Sequence, residues 1–361
     1  MSLRALLDAL PIPIVQAPMA GATTATIAAA VSRAGGLGSL AGAALAPEEI
    51  EAQTAALKLE LAQPFAVNLL VARDAPPEPW TVDAGLARLA HFYEESGLET
   101  PAAPNRFGHE FDAQLAAVTA AAPPIASFAF DVLSRAEIDA LHAAGSYVVG
   151  TANTVAEARA WADAGADGIC AQGFEAGGHR GNFLAETEAS LVGTMALVAT
   201  VREAVGLPVI AAGGIMDGRG VAAALALGAD AVQMGTAFLL ADEAVTSDPW
   251  RRAIETAPDD PTRLTRAFSG RHARGIENRF MREMRDVEAE VPPYPVQNRL
   301  TLPLRVAAEQ RGDRELMSLW AGQAVRLCRP GPAGEMLRRW WAEAGEAARA
   351  VLARTQRGGA A

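Results

Sequence analysis

Lysine is almost missing from this chain: of 31 basic side chains in 361 residues, Lys58 alone is not arginine. It sits in a charged, helix-like stretch from Glu48 to Glu60, which predicts a solvent-facing position. A mechanism built on a buried Schiff-base lysine therefore has almost nothing to rest on, because such an amine works only when desolvated. Cysteine is nearly as scarce. Cys170 and Cys328 are too few for a disulfide framework or a thiolate metal site. Positive charge is in deficit overall: 31 basic against 42 acidic residues give a net charge of −11. General affinity for nucleic acid or for an anionic membrane needs the opposite field. No long membrane-spanning run is present either. Residues Ala9 to Ser32 are uncharged, but Pro11, Pro13, Pro18 and Gln16 make them a poor span. The N-terminus lacks the charged head, apolar stretch and cleavage site of a signal peptide, so the expected location is the cytoplasm.

What remains is a chain able to bury a large core, 50% hydrophobic and 20% charged. Short apolar runs alternate with helix-period segments, the rhythm of a parallel α/β sheet. The predicted strands are Ile12–Ala17, Leu37–Leu40, Phe65–Val71, Ile125–Phe130, Tyr147–Thr151, Gly168–Gln172, Val209–Ala212 and Ala231–Gly235. Amphipathic segments such as Val155–Ala164 and Gly218–Leu227 lie between them. Three helices are expected to end at Gly145, Gly165 and Gly228, where glycine can take the left-handed conformation. This count and spacing suit a (β/α)8 TIM barrel better than an open doubly wound sheet. Two regions break the rhythm. Residues 76–119, entered through the Pro-rich segment 75–79, and residues 266–361 read as one helical subdomain capping a barrel made of 1–75 and 120–265. From about residue 265 the chain is expected to be helical, and residues 355–361 to fray.

Active sites of such barrels lie at the C-terminal ends of the strands. Paired Gly213 and Gly214 follow the seventh strand, and Gly235-Thr236 follow the eighth. Both leave backbone N–H groups free to bind a phosphate at the usual phosphate position of the fold. No G-x-G-x-x-G or G-x-x-x-x-G-K-[ST] occurs, so neither a Rossmann nucleotide site nor a kinase-type loop is indicated. His179 lies in a Gly-rich loop after the sixth strand and is the candidate acid–base residue, since imidazole titrates closest to neutral pH. The competing reading is a surface-loop histidine. His91, His109, His142 and His272 stand in helix-like or Arg-rich surroundings and read as solvated or packed. No H-x-x-x-H or H-E-x-x-H spacing supports a metal, and no G-x-S-x-G supports a serine nucleophile. Glu175 reads as a solvated or salt-bridged loop residue, and Tyr294 as packing or a lid over the pocket.

Those segments in that order resemble class I of the nitronate monooxygenase family. The resemblance is carried by PIVQAPMAG (13–21), GGLGSL (35–40), QGFEAGGHRG (172–181), LPVIAAGGIMDG (207–218) and ADAVQMGTAF (229–238). Weaker matches are SGRHARG (269–275) and WAGQ (320–323). The resemblance implies one non-covalent FMN and oxidation of alkyl nitronates, such as propionate 3-nitronate, by O2 through an anionic flavosemiquinone. It implies that Asn68, Gln172, Gly177, Gly213, Gly214, Gln233, Met234, Gly235 and Thr236 hold FMN. Pro18 and Met19 would lie beneath the flavin ring, His179 would be catalytic, and Tyr294 would line the substrate pocket. No metal, nucleic acid or membrane partner is expected, and the chain would act as a monomer or homodimer. Two departures from relatives bear on substrate choice. The fourth strand reads Ser127-Phe128-Ala129-Phe130 without a second histidine, and Asn298 and Leu302 stand where some relatives carry Tyr and Lys. The alternative enzyme on the same barrel is an FMN-dependent NAD(P)H reductase of quinones or enoyl thioesters. A third reading is a non-catalytic FMN-binding or interaction protein on a barrel that has lost its chemistry, which the intact loop around His179 argues against.

Overall fold

The computed structural model describes residues 2–73 and 77–358. Each apolar run expected in the barrel forms a strand: β1 Ile14–Gln16, β2 Gly38–Ala41, β3 Phe65–Leu70, β4 Ile125–Ala129, β5 Tyr147–Ala152, β6 Gly168–Gln172, β7 Val209–Ala212 and β8 Ala231–Met234. All neighbours are parallel and follow chain order, with β1 beside β8. A bridge between Val15 and Leu37 brings β1 to β2 and closes the (β/α)8 ring. The strands are buried on both faces, as a parallel sheet requires, which is why they read as apolar runs rather than alternations. Gly145, Gly165 and Gly228 have φ of 95°, 105° and 98°, ending their helices in the left-handed region as expected.

Packing between ring and helices is tight enough to fix side-chain size. Trp161 is fully buried, and its Nε1 donates to the Thr151 carbonyl at 3.1 Å. Its indole lies where a Cβ on Gly150 would fall, 2.0 Å from the ring. Gly150→Ala should therefore cost about 1–3 kcal/mol by overpacking. Thermal unfolding of the two proteins measures this; an unchanged midpoint would mean the β5–helix contact can relax.

Two expectations need correction. The chain beyond residue 265 is not simply helical: Thr262–Thr265 and Ala273–Ile276 pair antiparallel, and Ala273–Arg274 pair in turn with Gly178–His179. Strands this short carry too little alternation to be legible alone; they form through pairing with each other, and the second also pairs with the His179 loop. The tail also does not fray at residue 355, because the helix Ala333–Gly358 runs through it. Its Ala, Arg and Glu content sustains a helix beyond the part that packs on the barrel. Residues 359–361, and residues 74–76 of the Pro-rich segment, lie outside the described residues.

The two stretches that interrupt the barrel rhythm meet each other. Helix Pro79–Glu95 packs on helix Val296–Arg311. Tyr93 donates its hydroxyl to the Leu300 carbonyl at 2.6 Å, and Gly85 admits Pro292, whose Cγ would lie 2.7 Å from any Cβ there. Among the described residues, no helix is long and apolar enough to cross a membrane.

Candidate active site

The barrel gathers the singled-out residues at the C-terminal ends of its strands. Pro18 and Met19 follow β1, half-buried, in a loop that Thr23 closes: its Oγ1 accepts from Met19 N at 2.9 Å and donates to Met19 O at 3.0 Å. Asn68 lies near the end of β3, donating its Nδ2 to the carbonyl and hydroxyl of Ser127, each at 3.1 Å. Its Oδ1 takes no hydrogen bond from the described residues. β7 and β8 end side by side, Ala212 opposite Gln233. Gly213 and Gly214 follow one strand with φ of 114° and 71°, values that L side chains resist. Gly235 and Thr236 follow the other.

The two strand ends also leave backbone amides open. Among the described residues, the N–H groups of Gly214 and Gly235, at the C-terminal ends of β7 and β8, have no hydrogen-bond acceptor. Gly214 is exposed and Gly235 half-buried, so both amides are open to water or to a ligand. Gln233 is half-buried beside them with no side-chain partner among the described residues. Met234 is fully buried, so only its backbone faces this region, its carbonyl accepting from Ala17 N at 2.9 Å.

The loop after β6 is held by its own side chains. Gln172 accepts from Asn153 Nδ2 at 2.9 Å and Gly181 N at 3.0 Å, and donates to the His179 carbonyl at 3.1 Å. Its amide is thus largely engaged in fixing the His179 backbone. Glu175 lies against Gly214, and its carboxylate takes the N–H and hydroxyl of Thr194, capping the helix Thr194–Ala204. Gly177 packs against the WAGQ segment, where a Cβ would lie 2.5 Å from Gly322 N. Gly322 N in turn donates to Thr236 Oγ1 at 2.9 Å, tying that segment to the end of β8.

His179 stands at the centre. Its ring lies 5.6 Å from Phe130, 5.8 Å from Tyr294 and 5.5 Å from Trp320, centroid to centroid. Nε2 is 2.9 Å from Ser269 Oγ. Phe130 is held at φ 87°, strained for an aromatic residue, with the Arg271 guanidinium 4.0 Å above its ring. Burial first, then the positive charges of Arg271 and Arg305, push the His179 imidazolium down to about 3. The ring keeps partial solvent access, and the direction is what matters: at neutral pH it is an uncharged imidazole.

That shift makes stability depend on pH with a definite sign. Below about 6.5 the unfolded chain protonates this histidine while the native state does not, so the neutral burial that stabilises at pH 7 is lost as pH falls toward about 3. The melting temperature of the wild type should drop more steeply over that window than that of His179→Asn. Parallel curves would mean that His179 titrates normally.

Arg305, from the helix Val296–Arg311, completes the enclosure. It donates to Thr301 Oγ1 at 3.2 Å, Ser318 Oγ at 3.4 Å, and Asn298 O and Oδ1 at 2.7 and 2.9 Å. Among the described residues no carboxylate pairs with it. Burial lowers its pKa to about 10, which still leaves it charged at pH 7. Asn298 is thus engaged with Arg305, and Leu302 lies on the same helix.

Sequence reasoning missed Ser269, Arg305, Trp320, Phe130 and Arg271 as neighbours of His179. SGRHARG and WAGQ were weak signals for three of them. Arg305 had none, because an arginine in an Arg-rich chain carries no mark of burial.

The nitronate monooxygenase family model matches residues 4–343. A probable nitronate monooxygenase of Staphylococcus aureus strain Newman is 40% identical over 326 residues, covering 90% of this chain and 92% of that protein. The crystal structure of nitroalkane oxidase from Streptomyces ansochromogenes superposes with a TM-score of 0.88 at 43% identity, covering 96% of this chain and 99% of that one. FabK from Thermotoga maritima superposes with a TM-score of 0.75 at 30% identity, covering 97% and 98%.

Proposed function

This chain belongs to the nitronate monooxygenase family, a family of flavin-dependent oxidoreductases, and from that premise we propose that it uses FMN to oxidise alkyl nitronates with O2 to a carbonyl compound and nitrite. The observation that carries the substrate class is an uncharged His179 beside the half-buried Arg305 charge, which has no carboxylate partner among the described residues. A partly desolvated cation without a counter-charge favours an anion as ligand. A nitronate is such an anion, and one whose carbon has already lost its proton.

The residues present fit FMN. One pair of open amides, Gly214 and Gly235, suits one phosphate. Thr236 and Gly213 flank it, and Gly177 keeps the opposite wall close. Asn68 Oδ1 and the free Gln233 amide would meet the polar edge of the ring, with Pro18 and Met19 beneath it and Met234 contributing backbone only. Gln172 would contribute what its bonds to Asn153, Gly181 and His179 leave free. Bound FMN supplies the electron acceptor for the substrate and the route to oxygen. The protein's own part is to hold the nitronate between Phe130, Tyr294 and Trp320, to offset its charge through Arg305, and to keep bulk water from the mouth. His179 would accept the carbon-bound proton when a neutral nitroalkane, rather than a nitronate, is presented.

The purified protein should be yellow, and heat should release FMN rather than FAD. With FMN bound it should form nitrite and consume oxygen when given ethyl nitronate. A colourless protein that stays unloaded in excess FMN, or a loaded one forming no nitrite, would overturn this reading.

A further inference from the structure

We infer that Phe130 sets the substrate range: its ring closes the pocket beside His179 against long alkyl chains, so that short-chain nitronates are preferred. The substrate half of this inference rests on the proposed function; the placement of the ring does not.

The placement comes from a break in strand alternation. Successive side chains of a strand point to opposite faces of the sheet. In β4, Ile125 packs in one cluster with Val15, Ala66, Val149 and Cys170, each from a different strand, which is the inside of the ring. Phe128 points the other way, its ring stacked on Trp161 of the helix Val155–Ala164 at 6.4 Å. Ala129 therefore faces inward, and regular continuation would send Phe130 out among the helices. The φ of 87° at Phe130 prevents this, because reversing the sign of φ carries the Cβ to the other side of the incoming chain. The ring lies instead at the mouth, 5.6 Å from His179 and 5.3 Å from Tyr294, T-shaped to both.

A bulky residue keeps such a conformation only where its surroundings over-determine it, and strain of this kind gathers at functional sites. Here the Arg271 guanidinium lies 4.0 Å over the ring and is itself tied to the carbonyls of Arg180, at 3.0 Å, and Asn182. The ring is 5% exposed, so it is a fixed wall rather than a mobile flap. A substrate must bring its reacting carbon to His179, and the chain on that carbon then meets the rings around the imidazole. Phe130, Tyr294 and Trp320 stand 5.6, 5.8 and 5.5 Å from it, the separations of aromatic groups in contact. Of the three, Phe130 alone comes from the barrel, directly after a strand end whose inward residue is the small Ala129. Removing its ring opens the pocket on that side.

The test compares the FMN-loaded wild type with Phe130→Leu and Phe130→Gly. Glycine takes a φ of 87° without strain, so the backbone turn survives the loss of the ring. We measure kcat/KM for ethyl and hexyl nitronate, and follow binding of the unreactive anions propionate and heptanoate through the flavin spectrum. The wild type should favour ethyl nitronate. The hexyl-to-ethyl ratio should rise about 10-fold or more in Phe130→Gly, the usual worth of fitting one more methylene into an apolar pocket, with Phe130→Leu in between. The heptanoate-to-propionate affinity ratio should move the same way. A wild type that takes hexyl nitronate as readily as ethyl, or variants with FMN bound and both ratios unchanged, would overturn the inference. Absence of turnover with either nitronate, while glycine still raises the carboxylate ratio, would remove the proposed function and leave the wall in place.

Discussion

His179→Asn should lower turnover of nitroethane by about 10²–10⁴-fold, the usual worth of a general base, while ethyl nitronate is still oxidised at a substantial rate. A neutral nitroalkane must lose a carbon-bound proton before its electrons can move, and that step needs a lone pair held in place. The imidazole offers a free lone pair at neutral pH because burial and the charges of Arg271 and Arg305 keep it uncharged, although the same shift lowers its strength as a base. Activity on nitroethane should consequently show no acidic fall near the ordinary histidine pKa of about 6.5. A nitronate needs no such step. Comparing kcat/KM of the variant on the two substrates, with flavin content checked, decides the matter: equal losses on both would show that His179 does not abstract the proton.

Arg305→Met should lower kcat/KM for ethyl nitronate by about 10-fold or more, the scale of a lost hydrogen bond to a charged group, and should affect nitroethane less. The guanidinium is a charge at the pocket for which the described residues provide no carboxylate, so its removal takes away what favours an anion over a neutral substrate. Losing a nearby positive charge should also raise the pKa of His179, moving the acid limb on nitroethane toward higher pH. Methionine leaves the acceptors on Thr301, Ser318 and Asn298 without their donor, so Arg305→Lys, which keeps the charge, serves as the companion variant. Recovery of nitronate preference in the lysine variant would assign the effect to charge. Equal losses on both substrates in the methionine variant would make Arg305 a packing residue only.

The barrel was legible because parallel strands are buried on both faces, so runs such as Phe65–Leu70 and Val209–Ala212 carry no polar interruption. The glycines after β7 and β8 could be read because a left-handed or close-approach position leaves a mark in residue type. The pairing of Gly178–His179 with Ala273–Arg274 could not be read, since a two-residue ladder is made by tertiary contact across more than one element. Gln172 and Glu175 show a different limit. Both sit in the segment that sequence alone singles out, yet Gln172 is largely committed to the loop backbone and Glu175 caps a helix. Residue type and position located the site, whereas the division between groups that face a ligand and groups that hold the frame needed coordinates. Arg305 marks the far end of this scale, because one arginine among many becomes informative only once its burial and its partners are seen.

The most direct test is to mix the FMN-loaded enzyme anaerobically with ethyl nitronate, or with NADH, and follow the flavin spectrum. The account predicts rapid loss of the oxidised flavin absorbance with the nitronate and none at a useful rate with NADH. Rapid bleaching by NADH with an unchanged spectrum in nitronate would contradict it and would make the protein a flavin reductase on the same barrel.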